Sequence, residues 1–496
     1  MSPRERGSRS RAARRPVRST RRSPSPVRSN SSFLPHSGRV HSRGVLPAPQ
    51  QFGLSPSDSQ EPIMPIRLTR RKFLATVGAA FTAPMVVRAR NANEKLNVAV
   101  IGVANRGAAN VAGVAHENVV ALCDVDPENA QKARAQFPKA AFFTDYRELF
   151  DKAHKSIDAV VVSTPDHTHA LPSCLAIEFG KHVYCEKPMA ETVAEVRHMT
   201  AFAAKKKVVT QMGTQIHAGE NYRRVVEVVQ SGLLGEIKKV HVWNSSKPVG
   251  GKKLTSKPSA KFDLDLWMGP TKSEFFEVEV NKSSWNFAWP HFHWRWWWQW
   301  GGGTLADLGC HYIDLPYWAL GLTSPTRVKA TGTKTYAGDN DTPDVMSVDY
   351  TFPKTKVRGE VQLTWEHGTT APSGVSGLKG YSSGVLFVGT KAQLAADYGR
   401  YTMMPDSAAK EFKAPSKSIA PSIGHHKEWL EACKGNGTPL CNFAYAGRLA
   451  EAVLLGNVAY RAEKEITWDA EKGVTGDKTA DAFLSREYRK GWELPG

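Results

Sequence analysis

Hydrophobic residues between positions 96 and 185 fall in short continuous runs, separated by segments of helical length. Continuous apolar runs, in contrast to alternating ones, are typical of parallel strands that are buried on both faces of a sheet. Helical stretches near 108–116 and 171–179 follow two of the runs. The pattern therefore predicts a doubly wound βαβ unit with strands at 96–101, 119–123, 158–163 and 182–185.

Farther along the chain, apolar and polar residues alternate in runs bounded by polar turns, a pattern typical of antiparallel strands. These runs are 239–245, 327–335, 345–352, 357–365 and 385–388, and helical patterns follow at 425–433 and 444–463. We predict an α/β protein with an N-terminal doubly wound domain at 93–215, the strand arrangement of dinucleotide-binding folds. A C-terminal α+β domain with a largely antiparallel open sheet is expected at 216–496.

A glycine-rich turn follows the first predicted strand. Gly102, Ala104 and Gly107 occupy the three small-residue positions of a G-x-G-x-x-G motif, with Asn105 and Arg106 between them. Small residues allow a tight turn and a close approach of the backbone to a phosphate. We expect residues 102–107 to contact a cofactor pyrophosphate at the N-terminus of the following helix.

Asp124 ends the second predicted strand, 22 residues after Gly102. This spacing is close to that of the carboxylate that binds the adenosine ribose in dinucleotide-binding folds. A carboxylate accepts hydrogen bonds from a 2′-hydroxyl and repels a 2′-phosphate, so Asp124 favours NAD over NADP. The alternative is an ordinary N-cap for a helix that begins at Pro127.

Polar clusters follow the third and fourth predicted strands, where ligands bind in open parallel sheets. We therefore expect cofactor contacts from both clusters, which contain Thr164, Pro165, His167 and His169 in the first and Glu186 and Lys187 in the second.

A third polar motif follows the glycine run 301–303. Asp307 and His311 are four residues apart, so on a helix they share one face. Oxidation of a secondary alcohol requires a base for the hydroxyl proton, and histidine suits this role. We predict His311 as the base, Asp307 as the group that fixes the imidazole or binds a substrate hydroxyl, and Lys187 as the charge that stabilises an alkoxide.

The motifs at 102–107, 164–169, 186–188 and 301–311 resemble those of the glucose–fructose oxidoreductase/inositol dehydrogenase (Gfo/Idh/MocA) family. The resemblance covers about residues 94–496. It implies the same fold, catalytic roles for Lys187, Asp307 and His311, and a homo-dimer or homo-tetramer formed through the second sheet.

The segment 285–300 contains seven tryptophans. Two interpretations remain open, a carbohydrate pocket lined by aromatic faces and an aromatic subunit interface. His291 and His293 lie in this segment without a carboxylate partner, so we predict no metal site.

Composition adds a separate point about the N-terminus. Residues 1–92 carry 18 of the 66 Lys and Arg but 3 of the 47 Asp and Glu, so the remainder is nearly neutral and a nucleic-acid partner is not expected. No apolar run reaches the roughly 18–20 residues of a membrane span. The six cysteines form no C-x-x-C pair; six separate buried thiols are favoured over a Cys433–Cys441 disulfide.

Twin arginines at 70 and 71, followed by a mild apolar run from Phe73 to Val87, are typical of a Tat export signal. We interpret 64–92 as this signal. Residues 1–63 then form a basic disordered leader, or result from a start placed upstream of Met64. The expected location is periplasmic, by way of the Tat machinery, and cytoplasmic if the signal is not used.

These features favour an oxidoreductase that moves a hydride between NAD, or less favourably NADP, and a sugar, sugar derivative or cyclitol. Export predicts a tightly bound cofactor, because free NAD is scarce outside the cytoplasm. Two alternatives are a redox-assisted glycoside-cleaving enzyme and a non-catalytic sugar-binding protein of the same fold.

Overall fold

The computed structural model describes residues 94–496 except 249, 257–261, 281–288, 374 and 376. The predicted leader at 1–63 and the predicted signal at 64–92 lie outside the described residues. None of the helices in the described part of the chain is long and apolar enough to cross a membrane.

The first sheet has six parallel strands in the order β3-β2-β1-β4-β5-β6. Their bounds are β1 Asn97–Ile101, β2 Asn118–Cys123, β3 Ala141–Phe143, β4 Ala159–Val162, β5 His182–Cys185 and β6 Thr210–Met212. The helices between and after them are α1 Arg106–Val114, α2 Gln131–Gln136, α3 Tyr146–Ala153, α4 Ala170–Glu178, α5 Val193–Lys206 and α6 Glu220–Gln230. This is the Rossmann arrangement that the continuous apolar runs predict.

Both faces of this sheet are covered, which explains why its strands are apolar throughout. Ala99 and Ile101 of β1 belong to one buried cluster with residues of α4 and α5, whereas Val98 and Val100 belong to another. The second cluster also contains Trp429, from a helix more than 300 residues later in the chain. The C-terminal half of the protein therefore completes the nucleotide-binding unit.

The second sheet has eight strands in the order β15-β14-β13-β7-β12-β11-β10-β16. Its neighbours are antiparallel except β7 and β12, which are parallel. The bounds are β7 Ile237–Asn244, β10 Arg327–Thr333, β11 Val345–Phe352, β12 Val361–His367, β13 Gly384–Gly389, β14 Gln393–Ala396, β15 Tyr401–Met404 and β16 Ile466–Thr467. A separate antiparallel pair consists of β8 Gly251–Lys253 and β9 Val278–Val280.

The helices of the C-terminal part are α7 Leu264–Met268, α8 Gly303–Tyr312, α9 Asp314–Ala319, α10 Asp406–Glu411, α11 His425–Cys433, α12 Phe443–Arg461 and α13 Lys478–Asp481. α12 is buried on nearly all sides and packs between α5, α8 and the second sheet. This central helix fixes α8, which carries two of the predicted catalytic residues.

One predicted strand begins later than its apolar pattern indicates. The pattern places a strand at 357–365, but Val357 is 92% exposed and β12 starts at Val361. Thr355 N donates to Arg358 O at 2.9 Å, so residues 355–358 form a tight turn instead. The β-branched side chain of Val357 favours a strand, but the hydrogen-bonded turn at 355–358 forms instead.

The tryptophan-rich segment contributes to a small aromatic core, while some of its residues also line cavities. Trp297 and Trp300 are fully buried, and Trp294 and Trp296 are nearly so. They pack with aromatic residues such as Trp267, whose ring centroid is 5.2 Å from that of Trp300. The buried rings therefore pack mainly against one another, whereas Trp294 also lines one cavity and Trp298 another. Trp285 lies outside the described residues.

The six cysteines are free, and five of them are fully buried. The favoured interpretation of separate thiols is thereby confirmed, and Cys433 and Cys441 are not joined.

The end of the chain returns to the first domain. Arg486 Nη2 donates to the main-chain oxygen of His167 and to Glu195 Oε1, both at 2.6 Å. Glu195 also closes a capping box with Thr192 at the start of α5. One arginine near the C-terminus thus connects the loop after β4 with the helix after β5.

Candidate functional site

The turn between β1 and α1 has the close backbone approach that the glycine motif predicts. Gly102 has φ +79°, and a Cβ at this position would lie 2.7 Å from the main-chain carbonyl of Ser163. A Cβ at Gly107 would in turn collide with the carbonyl of Gly102. Because neither position admits a side chain, the backbone of 102–107 is left open at the N-terminus of α1.

A cleft of about 600 Å³ extends from this turn. It passes along the carboxyl ends of β2, β4 and β5 and reaches the segment 291–295. The predicted cofactor residues that line it are Gly102, Ala104, Asn105, Arg106, Asp124, Thr164, Pro165, His169, Glu186 and Lys187. The sequence motifs therefore meet in one place, as expected for strand ends of a parallel sheet.

Asp124 lies in the cleft and does not cap a helix. Its Oδ2 accepts a hydrogen bond from Val103 N at 2.9 Å, and burial raises the pKa of its carboxyl group. The turn that follows is capped by Asp126, whose Oδ1 accepts from the main-chain nitrogens of Glu128 and Asn129. Asp126 therefore has the capping role that was the alternative for Asp124.

The cluster after β4 divides between the cleft and the protein interior. His169 Nε2 bonds to the carbonyl oxygen of Thr164 at 2.7 Å, and burial lowers the pKa of this imidazole to about 4. His167 is fully buried outside the cleft wall, and its Nε2 bonds to Trp267 O at 2.8 Å. The structure therefore places His169 with the cofactor motifs and His167 at the joint with the tryptophan-rich core.

Glu186 connects the phosphate turn to the end of β5. Its Oε1 accepts hydrogen bonds from Arg106 Nε at 3.0 Å, Asn110 Nδ2 at 2.9 Å and Gln215 Nε2 at 2.8 Å. Burial alone would raise the pKa of this carboxyl group, but Arg106 and the amide donors outweigh it and lower the pKa. The ionised Glu186 thus fixes its protein neighbours and positions Lys187.

Lys187 meets the catalytic helix in a buried ion pair. Its Nζ donates to Asp307 Oδ1 at 2.6 Å, and Arg295 Nε donates to the same oxygen at 3.0 Å. Burial would raise the pKa of Asp307, yet the two cations hold it below its usual range. Arg295 was absent from the sequence-based site, because nothing in its tryptophan-rich surroundings marked it as a partner of Asp307.

His311 lies one helical turn beyond Asp307 and carries a neutral imidazole. Burial and the nearby charge of Lys187 lower its pKa to about 3, and its Nδ1 is buried with no hydrogen-bond partner among the described residues. The expectation that Asp307 fixes this ring is not what the contacts give. Asp307 Oδ1 bonds to Lys187 and Arg295 instead, because two cations attract a carboxylate more strongly than a neutral ring does.

Asp166 is a further carboxyl group in the cleft wall that the sequence argument passed over. It is 5% exposed, and burial raises its pKa well above the ordinary value in spite of Lys187 and Arg295 nearby. Its position between Pro165 and His167 in the strand-end cluster was the available signal. A protonated Asp166 donates a hydrogen bond, which an ionised one cannot do.

The residues of the cleft fit a dinucleotide. The glycine turn offers main-chain nitrogens, and Asp124 lies near the end of β2. Thr164 Oγ1 and His169 Nδ1 are buried polar atoms that lack a partner within the described ranges. Such unpaired atoms are costly unless a bound group satisfies them. Within the same ranges, no three His, Cys, Asp or Glu side chains are grouped to hold a metal ion.

Comparison with known families agrees with this geometry. Residues 96–214 match the model described as "Oxidoreductase family, NAD-binding Rossmann fold", and residues 274–394 match the GFO/IDH/MocA C-terminal domain. The first match assigns residues 96–214 to the NAD-binding Rossmann domain of an oxidoreductase family. Together the two matches cover 240 of the 496 residues, and both domains are those of the Gfo/Idh/MocA family.

Two curated relatives each match a little over a third of this chain. Inositol 2-dehydrogenase 1 of Saccharopolyspora erythraea is 30% identical over 204 residues, which is 38% of this chain and 58% of the relative. A glycosyl hydrolase family 109 protein of Shewanella pealeana is 29% identical over 206 residues, 35% of this chain and 45% of the relative. The chain thus spans about half the length of these curated relatives.

Two solved structures have the same fold over about three quarters of this chain. The WlbA dehydrogenase of Bordetella pertussis, in complex with NADH and UDP-GlcNAcA, has a TM-score of 0.53 at 18% identity and covers 76% of this chain and 99% of its own. GenD2 from gentamicin A biosynthesis, in complex with NAD, has the same TM-score and identity, with 78% and 100% covered.

Proposed function

We propose that the protein is an NAD-dependent oxidoreductase that moves a hydride between the nicotinamide and a hydroxyl-bearing carbon of a sugar, sugar derivative or cyclitol. One observation carries the proposal. The strand-end Lys187 pairs with Asp307 at 2.6 Å, one helical turn from the neutral His311, and Lys187 lines a cleft that starts at the glycine turn.

In this proposal His311 and Lys187 act on the same substrate oxygen. The imidazole is neutral above pH 3, so a lone pair is available to accept the hydroxyl proton. A base with so low a pKa removes an alcohol proton only when the alkoxide is stabilised. The ammonium of Lys187, whose side chain is 11% exposed, provides that stabilisation.

Asp307 and Arg295 hold the ammonium in place. Asp307 accepts from Lys187 through both its carboxylate and its main-chain oxygen, at 2.6 and 2.5 Å. Arg295 shares the carboxylate and keeps it ionised. A lysine with two fixed acceptors keeps one geometry, so its remaining proton points in a defined direction.

NAD, when bound, supplies the hydride acceptor. Asp124 in the cleft favours NAD over NADP, since a buried carboxylate would oppose a 2′-phosphate. The unpaired Thr164 Oγ1 and His169 Nδ1 support a tightly held cofactor, because its loss would leave both atoms unsatisfied.

The first experiment is to denature the purified protein and measure released NAD(H) by absorbance, and then to screen aldoses, uronates and inositols for reduction of added NAD. The proposal expects NADH formation that drops by about 10²–10³ in Lys187→Ala, the size of loss that follows removal of one charge-stabilising donor. Lys152→Ala, on the exposed face of α3, is the matched control. Unchanged turnover in Lys187→Ala would refute the catalytic assignment.

A second candidate is redox-assisted glycoside cleavage, in which transient oxidation at C3 acidifies the neighbouring C–H and permits elimination. The family 109 glycosyl hydrolase and the α-N-acetylgalactosaminidase among the relatives favour testing it. Assay with p-nitrophenyl glycosides separates the two reactions. Release of nitrophenol without net NADH supports cleavage, whereas NADH from free sugars supports the dehydrogenase.

Export and assembly complete the proposal. The twin arginines at 70 and 71 and the apolar run after them support Tat export to the periplasm, and the family supports a homo-dimer or homo-tetramer. N-terminal sequencing of the native protein tests the first, and light scattering tests the second. A mature chain that retains Arg4 and Arg43 would exclude cleavage of the signal.

A further inference from the structure

A second cavity of about 280 Å³ lies behind the glycine run that precedes α8. Its walls come from residues 191–193, 271–273, 298–299 and 301–302, from the last two turns of α12, and from residues 482–483 and 485–487. It shares no lining residue with the cofactor cleft. A molecule in this cavity would therefore contact a different set of side chains from those that hold NAD.

Two buried polar atoms of the cavity walls lack partners. Asn457 is 6% exposed, and its Nδ2 donates to Gly302 O at 2.8 Å, which fixes the amide and leaves Oδ1 as an acceptor. That Oδ1 and the Nε2 of Gln299 are both buried without a hydrogen bond to any described residue. A buried polar atom without a partner is costly unless a bound group satisfies it. A hydroxyl group donates and accepts at once, so hydroxyls satisfy both.

The opposite wall is aromatic and cationic. The guanidinium carbon of Arg461 lies 5.3 Å from the ring centroid of Trp298 and 4.3 Å from that of Phe483. The charges of Glu191 and Asp341 act on the Arg461 guanidinium, and Glu191 also lines the cavity, so this wall holds both an acceptor and a donor of hydrogen bonds. Aromatic faces pack against the C–H faces of sugar rings, and amide and guanidinium groups bind their hydroxyls.

We propose that this cavity binds a polyhydroxylated ring, a single sugar residue or a cyclitol, at a site separate from the cofactor cleft. Its volume lies near the lower end of the range for small-molecule sites, which suits one ring. The ligand contacts the peptide of Gly302, which Asn457 holds, and α8 begins at the next residue. Occupancy therefore acts on the base of the helix that carries Asp307 and His311.

The test is calorimetric titration of the NADH-saturated full-length protein with D-glucose, D-glucuronate and myo-inositol, because the reduced cofactor cannot accept a hydride from them. Gln299→Leu keeps the side-chain size and removes the donor, and Arg461→Gln removes the guanidinium. Lys187→Ala is the matched control in the cofactor cleft. We expect saturable binding of at least one compound that weakens tenfold or more in Gln299→Leu and persists in Lys187→Ala.

Two results would overturn the proposal. One is no saturable binding of any of the three compounds, which would leave water as the partner of Asn457 and Gln299. The other is binding that survives both cavity variants and disappears in Lys187→Ala, which would place the only sugar site in the cleft. The melting temperature of each variant shows whether it is folded. If Gln299→Leu is not folded, Arg461→Gln is the variant that tests the cavity. Because the readout is binding, a protein without dehydrogenase activity still passes or fails this test.

Discussion

Glu186 Oε1 and Arg106 Nε form an ion pair at 3.0 Å that connects the end of β5 to the first residue of α1. The glutamate is 4% exposed and the arginine lies in the cleft wall. The phosphate turn and the strand that carries Lys187 are therefore fixed relative to each other. A change at this pair moves both ends of the cofactor site.

Glu186→Gln should weaken NAD binding about tenfold, equivalent to roughly 1.4 kcal/mol. The amide keeps one acceptor oxygen for Asn110 but loses the charge that holds Arg106. Titration of the protein with NADH, followed by cofactor fluorescence, measures the change. Glu178→Gln, at the exposed end of α4, is the control. An unchanged dissociation constant for NADH would contradict the role of Glu186 in holding Arg106.

Arg295→Gln should shift the acid limb of the pH–activity profile to higher pH. The pKa of Asp307 is lowered in the native protein because Lys187 and Arg295 outweigh burial, and removal of one cation lets it rise. Asp307 is then protonated, and releases Lys187, at a higher pH than in the native protein. A pH profile of kcat/KM tests this, with Arg327→Gln on an exposed pair as the control. Superimposable profiles would exclude the coupling.

Stability should fall as the pH is lowered from 7 to 5. Burial lowers the pKa of His167 and His311 to about 3 and that of His367 to about 4, whereas the unfolded residues titrate near 6.5. The unfolded state therefore binds more protons between pH 7 and pH 5. Each imidazole that stays neutral in the folded protein lowers the free energy of unfolding by about 2 kcal/mol over this range. The raised pKa of Asp166 acts in the opposite sense.

Differential scanning calorimetry across this pH range measures the effect. His367→Asn should flatten the dependence on pH, because it removes one buried imidazole. His116→Asn, at a surface position with a side chain 56% exposed, should leave the dependence as it is. Equal slopes in all three proteins would show that the buried imidazoles do not carry the acid sensitivity.

Gly102→Ala should be much more destabilising than Gly435→Ala. Both residues have positive φ, so both substitutions carry backbone strain of about 1–3 kcal/mol. At Gly435 a Cβ meets no atom within 4 Å, whereas at Gly102 it meets the Ser163 carbonyl at 2.7 Å. Urea denaturation of both variants separates strain from collision. Equal losses would mean that the turn can open around a side chain.

The sequence predicted four of the six strands of the first sheet, because strands buried on both faces leave a continuous apolar signal; the three-residue strands β3 and β6 were too short to leave one. The motifs at 102–107, 164–169 and 186–188 also fall in one cleft, except that His167 lies behind it. A histidine that reaches a carbonyl oxygen on a residue 100 positions later gives no local signal. The sequence alone could therefore not separate His167 from His169.

Long-range pairing explains what the pattern missed. Arg295 approaches Asp307 because the tryptophan-rich segment packs as a core, and that segment offered a ligand pocket and an interface as equally good interpretations. The sequence also did not predict the parallel pairing of β7 with β12. Alternation of apolar and polar residues shows which face of a strand is buried, but not which strand lies beside it. Finally, the tight turn at 355–358 delays the start of β12 to Val361.

Arg486 has a consequence for the order of assembly. Its bonds to His167 and Glu195 span about 300 positions, and α11 fills one face of the first sheet from a similar separation. A nascent chain that has not yet emerged beyond residue 486 has neither the tail contact nor the completed loop after β4. The loop after β4, which lines the cofactor cleft, thus gains this contact only after residue 486 has left the ribosome.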